Sequence, residues 1–142
     1  LVKLNYNKNH NLCCIYPCSI FVTKKDILRG FQLLKKHPNH FVYPIKKFSH
    51  PIERAVFLTK SNNVRFLYKQ NSNKKTQSFS NSFFDAGQFY WGKTKKWLES
   101  NDLHFNAKGF EVKNYQYVDI DTEDDWELAK IIFVGNKKLK KN

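Results

Sequence analysis

Apolar residues occur along this chain in short bursts separated by polar, lysine-rich intervals, and the spacing inside each burst predicts an element. NLCCIY, residues 11–16, is a run of strand length, and PCSIF leads out of it as a loop. Thr23 precedes Asp26 by three positions, the spacing of a capping box. Ile27, Leu28, Phe31, Leu33 and Leu34 follow at helical intervals, which predicts an amphipathic helix over 24–36. HFVYPI at 40–45 reads as a second buried strand, ended by Pro44. The strand–helix–strand order predicts a right-handed crossover and a parallel sheet.

Further along, RAVFLT and VRFLY flank KSNN, the pattern of a hairpin. Residues 69–82 have almost no apolar content and read as a long loop, of the kind that binds or is disordered. Strand character resumes in AGQFYW (86–91), KTKKWLES (93–100) predicts a short helix, and YQYVDI (115–120) predicts a strand. Thr122 then meets Asp125 at capping-box spacing, and DDWELAKIIF predicts a helix with Trp126, Ala129, Ile132 and Phe133 on one face. No internal repeat is visible.

The length of 142 residues, with 41% hydrophobic and 16% aromatic content, fits one globular domain, 1–142, with a real core. No apolar run approaches the roughly 20 residues of a membrane span, and LVKLNYNKNHNLCC lacks the order of a signal peptide. The expectation is a soluble cytoplasmic protein. The chain has no methionine and starts at Leu1, which predicts residues upstream; an unusual start codon or trimming would look the same. The formal charge is +13, yet only Arg29, Arg54 and Arg65 among 25 basic residues are arginine. Nucleic-acid surfaces favour the arginine fork, so a solvated lysine surface is the plainer reading, and 136–142, NKKLKKN, reads as a basic, frayed tail. Cys13, Cys14 and Cys18 lack the paired spacing of a structural zinc site and read as reduced, partly buried thiols.

The carboxylates concentrate in YVDIDTEDDW, 117–126. Asp119 and Asp121 lie two apart at the end of a predicted strand, so their side chains share one face. Two carboxylates held together repel unless a cation or protons lie between them. Oxygen ligands on one side suit magnesium, which takes waters and phosphate oxygens as its other ligands. Helix capping is the alternative: Asp121 or Thr122 caps, and Glu123, Asp124 and Asp125 favour the positive end of the helix. Capping accounts for 121–125 and leaves Asp119 unexplained. The two readings are compatible, and both stay open on spacing alone.

DAGQFYWGK (85–93) together with YVDIDTEDDWELA (117–129) resembles the acylneuraminate cytidylyltransferases, most closely their pseudaminic acid branch. FSHPIERAVFL (48–58) and CCIYPCSIFVTKKDILRGFQLL (13–34) fit in order and spacing, so the resemblance covers roughly 10–135. It implies an α/β fold with a partial Rossmann-like sheet of the nucleotide-diphosphosugar-transferase type, flanking helices and a β-hairpin, with the N-terminal nucleotide-binding strands missing. It implies a nucleotidyltransferase that couples CTP to a nine-carbon acidic sugar, pseudaminic acid in the nearest branch, releasing pyrophosphate, with Mg2+ as cofactor and a homodimer as the complete form.

The same resemblance implies that Asp119 and Asp121 hold the magnesium and that Gln88, Asp85, Arg54, Lys75, Gln77 and Ser19 form the substrate-binding set. Asp85 is read either as a sugar ligand or as a residue that fixes its loop, and Arg54 either as a clasp for the sugar carboxylate or as half of a surface salt bridge. For most of Phe89, Tyr90 and Trp91 core packing is the plainer reading. Departures from the pattern are Lys75-Thr76-Gln77 where the family shows Arg-Ser-Gln, and Cys18 and Ile20 where relatives show Thr and Pro. No glycine-rich phosphate loop is present among the five glycines, which predicts poor CTP binding and little turnover by this chain alone. A basic nucleic-acid-binding module, with Tyr6, Tyr16, Phe66 and Tyr68 interleaved among lysines, and a non-catalytic dimerisation remnant are the competing classes.

Overall fold

The computed structural model describes residues 9–113 and 117–139. The chain divides into two compact units, one of Leu1–Lys46 with Asp85–Asn142 and one of Lys47–Phe84.

In the first unit, strand β1 (Asn11–Ile15) leads to helix α1 (Lys24–Lys36) and then to β2 (Val42–Lys47). The capping box is present: the Asp26 amide donates to the Thr23 hydroxyl at 3.3 Å, and the Thr23 amide donates to Asp26 Oδ2 at 3.1 Å. Strands β5 (Phe83–Asp85), β6 (Phe89–Lys93) and β7 (Lys108–Glu111) complete the main sheet, in the order β1-β6-β2-β5 with β7 paired to β2. Helices α2 (Thr94–Glu99) and α3 (Glu123–Leu139) flank it. Helix α3 runs on through Leu139, taking in part of the segment read as a tail, and 140–142 lie outside the described residues.

The sheet is a mixed one and corrects the expectation of a Rossmann-like parallel sheet. β1 and β2 do run in the same direction, as a strand–helix–strand crossover requires, but β6 lies between them and is antiparallel to both. Only the β2–β7 pair is parallel, with Val42 opposite Lys108 and Ile45 opposite Glu111. Pro44 does not end β2; it lies inside it and is fully buried. The Phe41 and Ile45 carbonyls accept from β7-side amides, whereas the Pro44 carbonyl accepts from Ala86. The missing Pro44 N–H therefore faces 86–88, where the ladder is already broken, and that is where a strand tolerates proline.

That break has a definite size. Val42 stands opposite Trp91, so an unbroken antiparallel ladder would set Pro44 opposite Phe89. The Pro44 carbonyl is instead bonded to the Ala86 amide, three residues earlier. The excess chain bulges out around Gly87, whose φ of 59° is left-handed.

Helix α1 packs on β6 through Gly30, where an added Cβ would meet the Trp91 ring at 2.8 Å. The Trp91 indole N–H donates to the Ile27 carbonyl at 3.1 Å. Leu34, Val42, Ala86, Phe89, Phe110 and Val112 form the core beneath. A second cluster of Phe21, Val118 and Ala129, with Ile120 and Ile132, seats α3. The predicted strand at 115–120 is corrected: 117–120 form no ladder, and 115 and 116 lie outside the described residues.

The second unit holds the predicted hairpin, β3 (Val56–Leu58) against β4 (Val64–Phe66), turning through Asn62 at φ 60°. The 69–82 segment contains two 3-10 turns, Lys69–Asn71 and Thr76–Ser78. Arg54 holds the first of them: its Nη1 donates to the carbonyls of Asn71, Ser72 and Lys74 at 3.2, 2.7 and 3.3 Å.

Gly92 is enclosed on β6, where a Cβ would lie 2.7 Å from the buried Phe41 ring and 2.9 Å from Trp97 Nε1. Gly92→Ala is expected to destabilise the fold by roughly 1–3 kcal/mol through overpacking, measured as a lower urea midpoint with an unchanged slope.

Candidate functional site

Three segments of the first unit surround a cavity of about 180 Å³: 16–19 after β1, the 86–88 bulge, and 118–121 ahead of α3. The Gln88 carbonyl joins two of them. It accepts from the Tyr16 amide at 2.9 Å and from the Ser19 hydroxyl at 2.7 Å. Ser19 is thus engaged with backbone, and Gln88 is buried.

The third wall carries the acidic pair. Val118 and Ile120 anchor it in the cluster beneath α3, while the alternate residues Asp119 and Asp121 are exposed and both line the cavity. The period-two alternation of V-D-I-D thus holds without a strand ladder. Burial lifts the Asp119 carboxyl above its ordinary value, and the negative charges of Asp121, Asp125 and Asp85 add to the effect.

Capping is carried out by neighbours of the pair. Asp125 Oδ2 accepts from the Thr122 amide at 2.9 Å and the Thr122 hydroxyl at 2.6 Å, and the Asp125 amide donates to Thr122 Oγ1 at 3.3 Å. The hydroxyl bond, then the amide bond, hold Asp125 below the usual carboxylate range. The Asp121 amide also donates to Asp125. The side chains of Asp119 and Asp121 accept no hydrogen bond from the described residues, so they form an uncompensated anionic pair. No group of three or more His, Cys, Asp or Glu side chains among the described residues is placed to hold a metal. A pair of hard oxygen donors nevertheless fits magnesium, which keeps several waters and takes phosphate oxygens.

Asp85 lies just behind the bulge. Its Oδ1 accepts from the Gly87 amide at 2.8 Å and its Oδ2 from the Tyr90 hydroxyl at 2.8 Å. His104 Nδ1 is 3.6 Å from the same Oδ2 and 3.2 Å from the Tyr43 hydroxyl. Burial first, and then Asp85, pushes the Tyr90 and Tyr43 phenols up. The sequence reading assigned Tyr90 to packing and did not single out Tyr43 or His104. The motif spacing shows Asp85 and Tyr90 five apart, but only the bulge between them brings hydroxyl to carboxylate, and His104 arrives by tertiary folding.

Ser19, Gln88, Asp119 and Asp121 therefore meet on one cavity, with Asp85 hydrogen-bonded to its rim. Arg54, Lys75 and Gln77 belong to the second unit. There Gln77 lines a separate cavity of about 250 Å³ with Lys47, His50 and Ser80, Lys75 is exposed, and Arg54 holds the 71–74 carbonyls. Cys18 lines the rim of the first cavity and is exposed, whereas burial, reinforced by Cys14, pushes the Cys13 thiol up to about 12. No helix among the described residues is long and apolar enough to cross a membrane.

No family model matches the chain. Over 127 residues, 89% of its length, it is 28% identical to pseudaminic acid cytidylyltransferases from two strains of Campylobacter jejuni subsp. jejuni. Over 110 residues it is 29% identical to a Helicobacter pylori protein named pseudaminic acid cytidylyltransferase and UDP-2,4-diacetamido-2,4,6-trideoxy-beta-L-altropyranose hydrolase, covering 76% of this chain and 21% of that protein. The chain spans about half the length, 55%, of the Campylobacter relatives. Along most of its length, then, this chain is similar to pseudaminic acid cytidylyltransferases, the branch its motifs point to.

Proposed function

We propose that this chain contributes the sugar- and metal-binding part of a cytidylyltransferase that makes a CMP-activated nine-carbon acidic sugar, with pseudaminic acid as the sugar. The observation that carries the reading is the uncompensated pair Asp119 and Asp121 on one cavity with Gln88, in a chain similar to enzymes of that name. In the reaction, the anomeric hydroxyl of the sugar attacks the α-phosphorus of CTP. A new phosphorus–oxygen bond forms, the bond to the pyrophosphate oxygen breaks, and the hydroxyl proton is released. Magnesium would supply charge neutralisation on the phosphates.

The residues of the chain have separable tasks in this scheme. Asp119 and Asp121 would hold the ion through their carboxylates. Gln88 offers a side-chain amide to the sugar, and Ser19 keeps the opposing wall in register through the Gln88 carbonyl. Gln77 and Lys75, in the second unit, keep the polar and cationic character that the resemblance implies, Lys75 as a point charge in place of an arginine fork. Arg54 supports the turn that precedes them. A homodimer belongs to the same proposal, and the apolar side chains Val56, Phe57, Leu58 and Val64 exposed on the hairpin are a surface suited to one.

Manganese binding, followed by electron paramagnetic resonance as a stand-in for magnesium, tests the reading. Asp119→Asn and Asp121→Asn are each expected to weaken it about tenfold or more, at least the effect of removing an outer-shell partner of a metal. Unchanged binding in both variants overturns the assignment.

Stability against pH gives a second check. The folded chain binds the Asp119 proton more readily than the unfolded chain does, because folding raises that pKa above 3.8. The ionised group therefore costs stability above the raised value, and the cost fades as pH falls toward and below 3.8. Asp119→Asn is expected to be more stable than the parent at neutral pH, with the difference closing at about pH 3, measured by urea unfolding. A variant less stable at neutral pH counts against uncompensated repulsion at the pair.

A further inference from the structure

We infer that Asp85 is a positioning residue, and that Tyr90 and His104 act through it to fix the Gly87–Gln88 bulge at the cavity. The inference deepens the sugar-site reading above and rests on it for what the bulge is for. Both carboxylate oxygens of Asp85 are engaged inside the chain: Oδ1 with the Gly87 amide, Oδ2 with the Tyr90 hydroxyl and, at 3.6 Å, with His104. A carboxylate so engaged is a support for the bulge more than a ligand.

The support is itself held. The His104 amide donates to Asp102 Oδ1 at 2.8 Å, and the Phe105 amide reaches the same oxygen at 3.1 Å, which sets the turn carrying the imidazole. The imidazole stands edge-on to the Tyr43 ring at 5.5 Å. Tyr43 and Tyr16 both stack near the Tyr90 ring, with centroids at 5.5 and 5.2 Å. Since the Tyr16 amide donates to the Gln88 carbonyl, the path closes on itself: Asp85 to Gly87, Gln88 to Tyr16, Tyr16 to Tyr90, Tyr90 to Asp85.

The bulge needs such a clamp. Gly87 is in the left-handed region, and nothing lies within 4 Å of where its Cβ would be. Beyond its chain neighbours, no described residue packs over that point, and the hydrogen bond from its amide to Asp85 holds the backbone there. Loosening Asp85 would let Gln88 and the carbonyl that ties down Ser19 drift together.

Glycine-selective 15N labelling of the whole chain gives one amide probe for each of its five glycines. Gly87 reports on the clamp and Gly92, on β6, serves as reference. Asp85→Ala is expected to speed Gly87 amide exchange most. Tyr90→Phe and His104→Gln each speed it ~3- to 10-fold, the effect of one hydrogen bond, with Gly92 unchanged. In the Asp85→Ala background neither substitution adds anything, because both act through that carboxylate. His104 is an exposed residue, so its variant remains informative even if Tyr90→Phe folds poorly. Three results overturn the inference: an unchanged Gly87 rate in the single variants, an equal rise at Gly92, or effects that persist undiminished without Asp85. The readout needs neither metal nor nucleotide, so a chain that binds no manganese sinks the proposed function and leaves this test standing.

Discussion

The Gln88 carbonyl accepts two hydrogen bonds, from the Tyr16 amide and the Ser19 hydroxyl, and these join two of the three walls of the cavity. That carbonyl faces β1: Tyr16 opposite Gln88 continues the register that sets Ile15 opposite Phe89, so its bond to the Tyr16 amide extends the β1–β6 ladder, and the Ser19 hydroxyl adds a second donor. On the side of β2 the three-residue offset breaks the pairing, the left-handed Gly87 turns the chain, and Asp85 holds the turn. The site is therefore a local failure of sheet pairing, stabilised by side chains on either side of it.

Charge at the site runs against charge on the whole. The molecule carries +13 formally, and many of its lysines are solvated. The acidic pair sits within this positive field without a cationic partner among the described residues. A lysine surface raises the local concentration of anionic ligands over nanometres, while the carboxylate pair, on the function proposed above, would act over a few ångströms on a cation.

Local rules in the sequence carried much of this. Helix α1 was legible because a capping box and an apolar stripe agree, and both are properties of adjacent residues. The outward placement of Asp119 and Asp121 was legible from alternation with Val118 and Ile120, although the strand it implied does not form. The parallel sheet was misjudged for a physical reason: order along the chain fixes the sense of β1 and β2 but not their adjacency, and β6, far along the chain, separates them. Pro44 was misjudged because a proline is excluded from a strand only where its amide is needed. Tyr90, Tyr43 and His104 were invisible as a group, since what joins them is the bulge and a loop, neither of which leaves a spacing to read. Strands β5 and β7 are too short for periodicity to mark.

Two glycines of this chain stand in open space, and they differ in how freely they can drift. At Gly135, on α3, an added methyl meets nothing within 4 Å and the backbone is helical, so exchange for almost any helix-forming residue is neutral or favourable. Gly87 is just as uncrowded, but its dihedral angle restricts replacement to residues that tolerate the left-handed region, chiefly asparagine and aspartate. Room for a side chain and licence to carry one are separate properties, and at position 87 the chain has the first without the second.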